Sequence, residues 1–155
     1  MRLIYTAHRP RRDFEARTGA RFMEKDALLA TADFVSLHVP LTTETRHYIG
    51  RRELEIMPRH AILINTARGP VVDEDALAAA LQKGDIAGAG LDVFEREPQI
   101  HPGLRDLPNV LLTPHKGATT MDGFISMGNS CAEKIFAALD GRVPPDCLNP
   151  EARQG

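Results

Sequence analysis

Tryptophan is absent, tyrosine occurs twice and phenylalanine six times, so the interior must be built from aliphatic side chains. Only two cysteines are present, Cys131 and Cys147. They match neither a disulfide framework nor a zinc site, and both fit a reducing, cytoplasmic setting. No metal site is expected. No apolar run approaches the ~18 residues a membrane span needs, and Met1-Arg2-Leu3-Ile4-Tyr5 is too short an apolar opening for a signal peptide. Charge of one sign is lacking too. The net charge of −2 with His neutral argues against a dedicated nucleic-acid binder, which is usually clearly basic. The one local exception is the cluster His8, Arg9, Arg11 and Arg12. Internal repeats and low-complexity tracts are missing as well.

What remains is an ordinary globular composition, 43% hydrophobic and 26% charged over 155 residues, enough for one domain with a real core. Short apolar runs alternate with amphipathic ones. Strands are predicted at Leu3–Tyr5, Phe34–Val39, Ala61–Asn65, Ile86–Val93 and Val110–Leu112. Helices are predicted at Asp26–Ala32, Arg52–Met57, Asp73–Lys83 and Thr120–Leu139. Asp73 is placed to cap its helix, with Glu74 and Asp75 on the first turn and Gly84 as terminator. Ala61–Asn65 is apolar at consecutive positions, the pattern of a parallel strand covered on both faces. The alternation predicts an α/β chain with a mainly parallel sheet.

In such sheets ligands sit beyond the carboxyl ends of the strands, and the polar residues of interest fall there. His38 closes one strand and Thr66, Ala67 and Arg68 follow another. Asp92 and Glu97 follow a third, and His115 a fourth. A guanidinium at Arg68 can hold a carboxylate through two parallel hydrogen bonds; a surface ion pair is the plainer alternative. His115 can donate or accept a proton near neutral pH; a structural histidine is the alternative. Glu97 beside His115 would orient the ring; alone it is an exposed acid, as Glu95 could equally be.

The constellation says more than its parts. Asn65-Thr66-Ala67-Arg68-Gly69, Gly90-Leu91-Asp92-Val93-Phe94 with Pro98 following, and Leu112-Thr113-Pro114-His115 occur in this order. Together with His38-Val39-Pro40-Leu41-Thr42-Thr43-Glu44-Thr45 they resemble the D-isomer-specific 2-hydroxyacid dehydrogenases, over essentially the whole chain. The resemblance implies that Arg68 binds the carboxylate and carbonyl of a 2-oxo acid, His115 is the general acid, and Glu97 holds His115 in its tautomer. It implies cofactor contacts at Pro40 and Thr45 on the adenosine side, at Thr66, Ala67 and Arg68 near the nicotinamide ribose, at Asp92 facing the amide, and at His115 and Gly117 over the ring. Pro40 and Gly117 are equally explained by turn geometry. Glu97 speaks against the related formate dehydrogenases, which pair the histidine with a glutamine. The resemblance implies a small 2-oxo or 2-hydroxy acid as substrate, a glyoxylate, hydroxypyruvate or 2-ketogluconate type of reductase, and a homodimer. An inactive fragment and a non-catalytic NAD(P)-sensing or partner-binding relative are the competing readings.

Three departures qualify this. No Gly-x-Gly-x-x-Gly turn, the usual cradle of a dinucleotide pyrophosphate, occurs. The expected architecture is therefore an incomplete doubly wound, Rossmann-like parallel sheet with flanking helices: residues 1–118 a partial dinucleotide-binding domain, 119–141 a long C-terminal helix, 142–155 an extended tail. In the strand order 3-2-1-4-5-6 the absent first strand is central. Leu3–Tyr5 and Phe34–Val39 are then expected to be cut off from the remaining strands, and the chain to be poorly stable, to self-associate or to need the missing half. Secondly, strand 2 ends near Ala7 rather than on an acid, and His8, Arg9, Arg11 and Arg12 follow. That favours NADP over NAD, since a basic cluster attracts a 2′-phosphate. Thirdly, Lys116 places a cation after His115 where the family has a small or apolar residue, opposing the charge that Glu97 steadies.

Overall fold

The computed structural model describes residues 1–153 and divides into two compact units, Met1–His115 and the stretch from Lys116 onward. The first unit runs β1 (Ile4–Tyr5), α1 (Arg12–Thr18), β2 (Arg21–Phe22), α2 (Lys25–Leu29), β3 (Phe34–Leu37), α3 (Arg51–Ile56) and β4 (Ile62–Asn65). A 3-10 turn (Gly69–Val71) follows, then α4 (Glu74–Lys83), β5 (Gly88–Leu91), α5 (Pro102–Arg105) and β6 (Val110–Leu112). All strand pairs are parallel. They form a two-stranded sheet β1-β2 and a four-stranded sheet in the order β3-β4-β5-β6.

The helix α4 forms as its sequence dictates. Asp73 accepts a hydrogen bond from the Ala76 N–H at 3.0 Å, Glu74 and Asp75 lie in the first turn, and Gly84 closes the helix at φ 71°. Leu77 and Leu81 on its buried face join Leu63, Leu91 and Leu104 in an aliphatic core. Close passage fixes Gly88, where a Cβ would lie 2.8 Å from the Asn109 carbonyl oxygen.

Two expectations are corrected. Phe34–Leu37 is not cut off from the later strands: it pairs along its length with Ile62–Asn65. The partner of β1 is β2, a strand that the sequence reading had not anticipated, like α1 and α5. Two residues cannot display an alternating period, so β2 left no pattern to read. Nor is β4 wrapped equally on both faces. The register row Val35, Leu63 and Ala89 is buried. On the opposite face Ile62 and Ile64 are half-buried, Phe34 is 62% exposed and Leu111 is 70% exposed.

The second unit holds α6 (Met121–Leu139), capped by Thr120, whose hydroxyl accepts from the Gly123 N–H at 3.0 Å. Within the described residues the tail contains a 3-10 turn at Pro150–Arg153, where the sequence suggested an extended segment. Among the described residues no helix is long and apolar enough to cross a membrane.

Candidate active site

Sheet register builds the site. Leu37, Asn65, Leu91 and Leu112 stand side by side, each the last residue of its strand. The chain therefore leaves the sheet along one edge, at His38, Thr66, Asp92 and Thr113, with neighbouring strands ~4.8 Å apart.

After β4 the turn is wound around one side chain. Asn65, only 1% exposed, accepts from the Ala67 N–H at 3.1 Å and donates to the Arg68 carbonyl at 3.0 Å. This leaves Thr66 and Arg68 exposed, the Arg68 guanidinium donating to the Ala67 carbonyl at 2.6 Å. Gly69 follows, pressed so close to the next loop that a Cβ would fall 1.9 Å from the Phe94 carbonyl group. After β5 the Asp92 N–H donates to the Asn65 carbonyl at 3.0 Å, and the buried Asp92 carboxylate accepts from the Thr113 hydroxyl at 2.6 Å.

The turn beyond Asp92 presents Glu97. One of its oxygens, Oε1, accepts from the Phe94 N–H at 3.1 Å; the other, Oε2, lies 2.9 Å from His115 Nδ1. A carboxylate can only accept, so Nδ1 carries the proton and Nε2 is the atom that gains or loses one. His115 sits at φ 53°, a left-handed conformation uncommon outside glycine and concentrated at functional sites. The Glu97 carboxyl is held below its ordinary range. The hydrogen bond from His115 is the largest cause, followed among those that lower it by the Phe94 N–H and the charges of His115 and Arg68, against a desolvation that pushes the other way. Arg68, Glu97 and His115 are thus gathered into one electrostatic neighbourhood.

Other candidate residues land differently. Thr45 is buried and turned into its own loop: its hydroxyl donates to the Pro40 carbonyl at 2.6 Å and accepts from the Thr42 N–H at 2.7 Å. Pro40 is exposed, as are His8 and Arg9 beyond β1. The Glu44 carboxyl is held low, first by the Thr42 hydroxyl and in smallest part by the charge of His8. Gly117 belongs to the second unit. Sequence reasoning missed Asn65 and Thr113 as supports of the site. An Asn ending an apolar run before a turn was the available signal.

The family model described as the D-isomer specific 2-hydroxyacid dehydrogenase, NAD binding domain, matches residues 1–117. This chain belongs to that family. Within it, the chain is 46% identical over 151 residues to a glyoxylate reductase of Thermococcus litoralis, covering 97% of the chain and 46% of that protein. It is 48% identical over 152 residues to a glyoxylate/hydroxypyruvate reductase B of Pectobacterium carotovorum, covering 97% and 48%. Its structure matches the NAD-complexed D-isomer specific 2-hydroxyacid dehydrogenase of Lactobacillus delbrueckii with a TM-score of 0.85 at 33% identity, covering 96% of this chain and 48% of that one. The chain spans about half the length of the curated relatives it matches. Among the described residues no group of three His, Cys, Asp or Glu could hold a metal ion.

Proposed function

We propose that this chain supplies the acid–base and carboxylate-binding groups of an enzyme that interconverts a small 2-oxo acid and the corresponding D-2-hydroxy acid, of the glyoxylate or hydroxypyruvate type. The observation that carries the reading is the 2.9 Å contact between His115 Nδ1 and Glu97 Oε2 at a strand edge shared with Arg68. In the reducing direction Arg68 receives the substrate carboxylate, and its charge polarises the neighbouring carbonyl. His115, protonated on both nitrogens, delivers the Nε2 proton to the carbonyl oxygen, while Glu97 keeps the ring in place through Nδ1–H. Oxidation runs through the same atoms, with neutral His115 accepting the hydroxyl proton.

The cofactor is a nicotinamide dinucleotide, which when bound supplies or takes up the hydride. The residues present suit its two ends. Thr66, Arg68 and the Asp92–Thr113 pair at the sheet edge would hold the nicotinamide end, and the basic loop from His8 to Arg12 would hold the adenosine end. The glycine turn for the pyrophosphate is not among the residues of this chain. Because the loop is cationic and carries no acid at Ala7, it favours a 2′-phosphate, hence NADP over NAD. A homodimer accompanies the reading, with the exposed apolar residues Phe124 and Phe136 of α6 as a surface available to it.

The test is oxidation of NADPH by glyoxylate and by hydroxypyruvate, followed at 340 nm on the longest natural product that carries these residues. Replacing His115 with Ala should lower kcat by about 10²–10⁴-fold, the usual loss with a general acid–base group. Turnover unchanged in that variant would end the proposed mechanism, and tighter NADH than NADPH binding would end the cofactor preference.

A further inference from the structure

Two residues before Glu97 the same turn makes a second pair of the same kind. The Glu95 carboxylate is hydrogen-bonded to Nε2 of His47. Like His115, His47 holds a positive φ, here 50°. Its other ring nitrogen lies 4.0 Å from the Asp73 carboxylate that caps α4, and its backbone N–H donates to the Pro70 carbonyl at 2.8 Å. From the other side the Glu95 N–H donates to Oε1 of Glu74 at 2.9 Å. Glu74 is 5% exposed, and burial pushes its carboxyl above the ordinary range despite that hydrogen bond. A carboxyl kept inside at such a cost is held there by what it binds, and what it binds is the backbone of the Glu97 turn.

We propose that Glu74 and Glu95 are positioning residues: Glu74 clasps the amide of Glu95, His47 clasps its carboxylate, and the turn so held sets Glu97 against His115. The close passage of Gly69 against Phe94 and Glu95 supplies the third point that a fixed body needs. As an aid to proton transfer the idea rests on the function proposed above; as geometry it stands independently.

The experiment is a carboxyl-carbon NMR titration of Glu97 in the full chain labelled at glutamate. The Glu97 resonance is identified by its loss in Glu97→Gln, and folding of each variant is followed by melting. In the parent Glu97 titrates below its ordinary value. In Glu95→Ala and Glu74→Ala the midpoint should rise, because the hydrogen bond from His115 is the largest cause of the lowering. Simple removal of a neighbouring negative charge would move the midpoint down, so a rise reports lost positioning alone. Glu74→Gln keeps an oxygen for the Glu95 N–H while removing a charge, so its midpoint should stay at or slightly below the parent's. A midpoint in Glu95→Ala equal to or below the parent's would overturn the proposal, and this partly exposed site decides the matter if Glu74→Ala fails to fold. The titration needs neither substrate nor cofactor. Absent turnover with a raised midpoint would therefore remove only the proposed function, and normal turnover with an unmoved midpoint would remove only the positioning role.

Discussion

Gly69→Ala offers the sharpest single test of how the site is held. The added methyl would fall 1.9 Å from both the carbonyl carbon and oxygen of Phe94 and 2.5 Å from the Glu95 nitrogen, well inside the ~3.5 Å at which carbon atoms rest against one another. The obstructing atoms are backbone, so no rotamer change relieves the clash. The Arg68 turn or the Glu97 turn must move. Overpacking of a closed interior costs about 1–3 kcal/mol, and a purely backbone obstruction belongs at the upper end. With a urea m-value of about 1–3 kcal/mol/M, the unfolding midpoint should fall by roughly 1 M or more. Gly90→Ala is the matched control: a Cβ there meets nothing within 4 Å, and its stability should stay within about 0.5 kcal/mol of the parent's. In an active protein, displacement of this order would also reduce turnover by about 10²-fold. Equal urea midpoints for the two variants would refute the close approach of the two turns.

Further outcomes are expected. Leu77→Ala, at a site with 0% exposure, should cost about 2–5 kcal/mol in chemical unfolding; a loss below about 1 kcal/mol would contradict its central place. Because Glu74 is raised above 4.5 in the fold, its contribution is intact below that pH and is lost as pH rises through its folded value. Glu74→Gln should therefore gain stability on the parent across that rise, and parallel pH–stability curves would refute the burial effect. Glu97 has the opposite sign: its lowered value stabilises above 4.5 and is lost as pH falls through the folded value. Glu97→Gln should be less stable at neutral pH and converge with the parent in acid. Since β1 and β3 each pair on one side only and Phe34 and Leu111 are exposed, sedimentation of this chain should show self-association that a charge at Phe34 diminishes.

The sequence revealed the parts of this molecule that repeat a strong local rule. The cap, acidic first turn and glycine stop of α4 each carry their own chemistry, and the helix lies where they put it. Arg68, Asp92, Glu97 and His115 were legible because each follows an apolar run, and parallel register then aligns the ends of those runs. Pieces too short for a period stayed hidden, β2 above all. The value of Glu95 and Glu74 was hidden for another reason. An acid looks the same in sequence whether it faces water or binds an amide N–H from a loop 21 residues away, as Glu74 does.

The separation of β1-β2 from the four-stranded sheet bears on the timescales of the molecule. No backbone ladder joins the two sheets, α1 buries no residue, and Ile4 and Met23 are among the few side chains of this segment that pack on the main core. A segment tied by so few buried contacts opens at a small free energy while the rest stays closed. Amide hydrogens of Tyr5 and Met23 should therefore exchange with solvent long before those of Leu63 or Leu91. Under the function proposed above, the loop at His8 and Arg9 would lie on a piece that breathes, and His115 with Glu97 on one that does not.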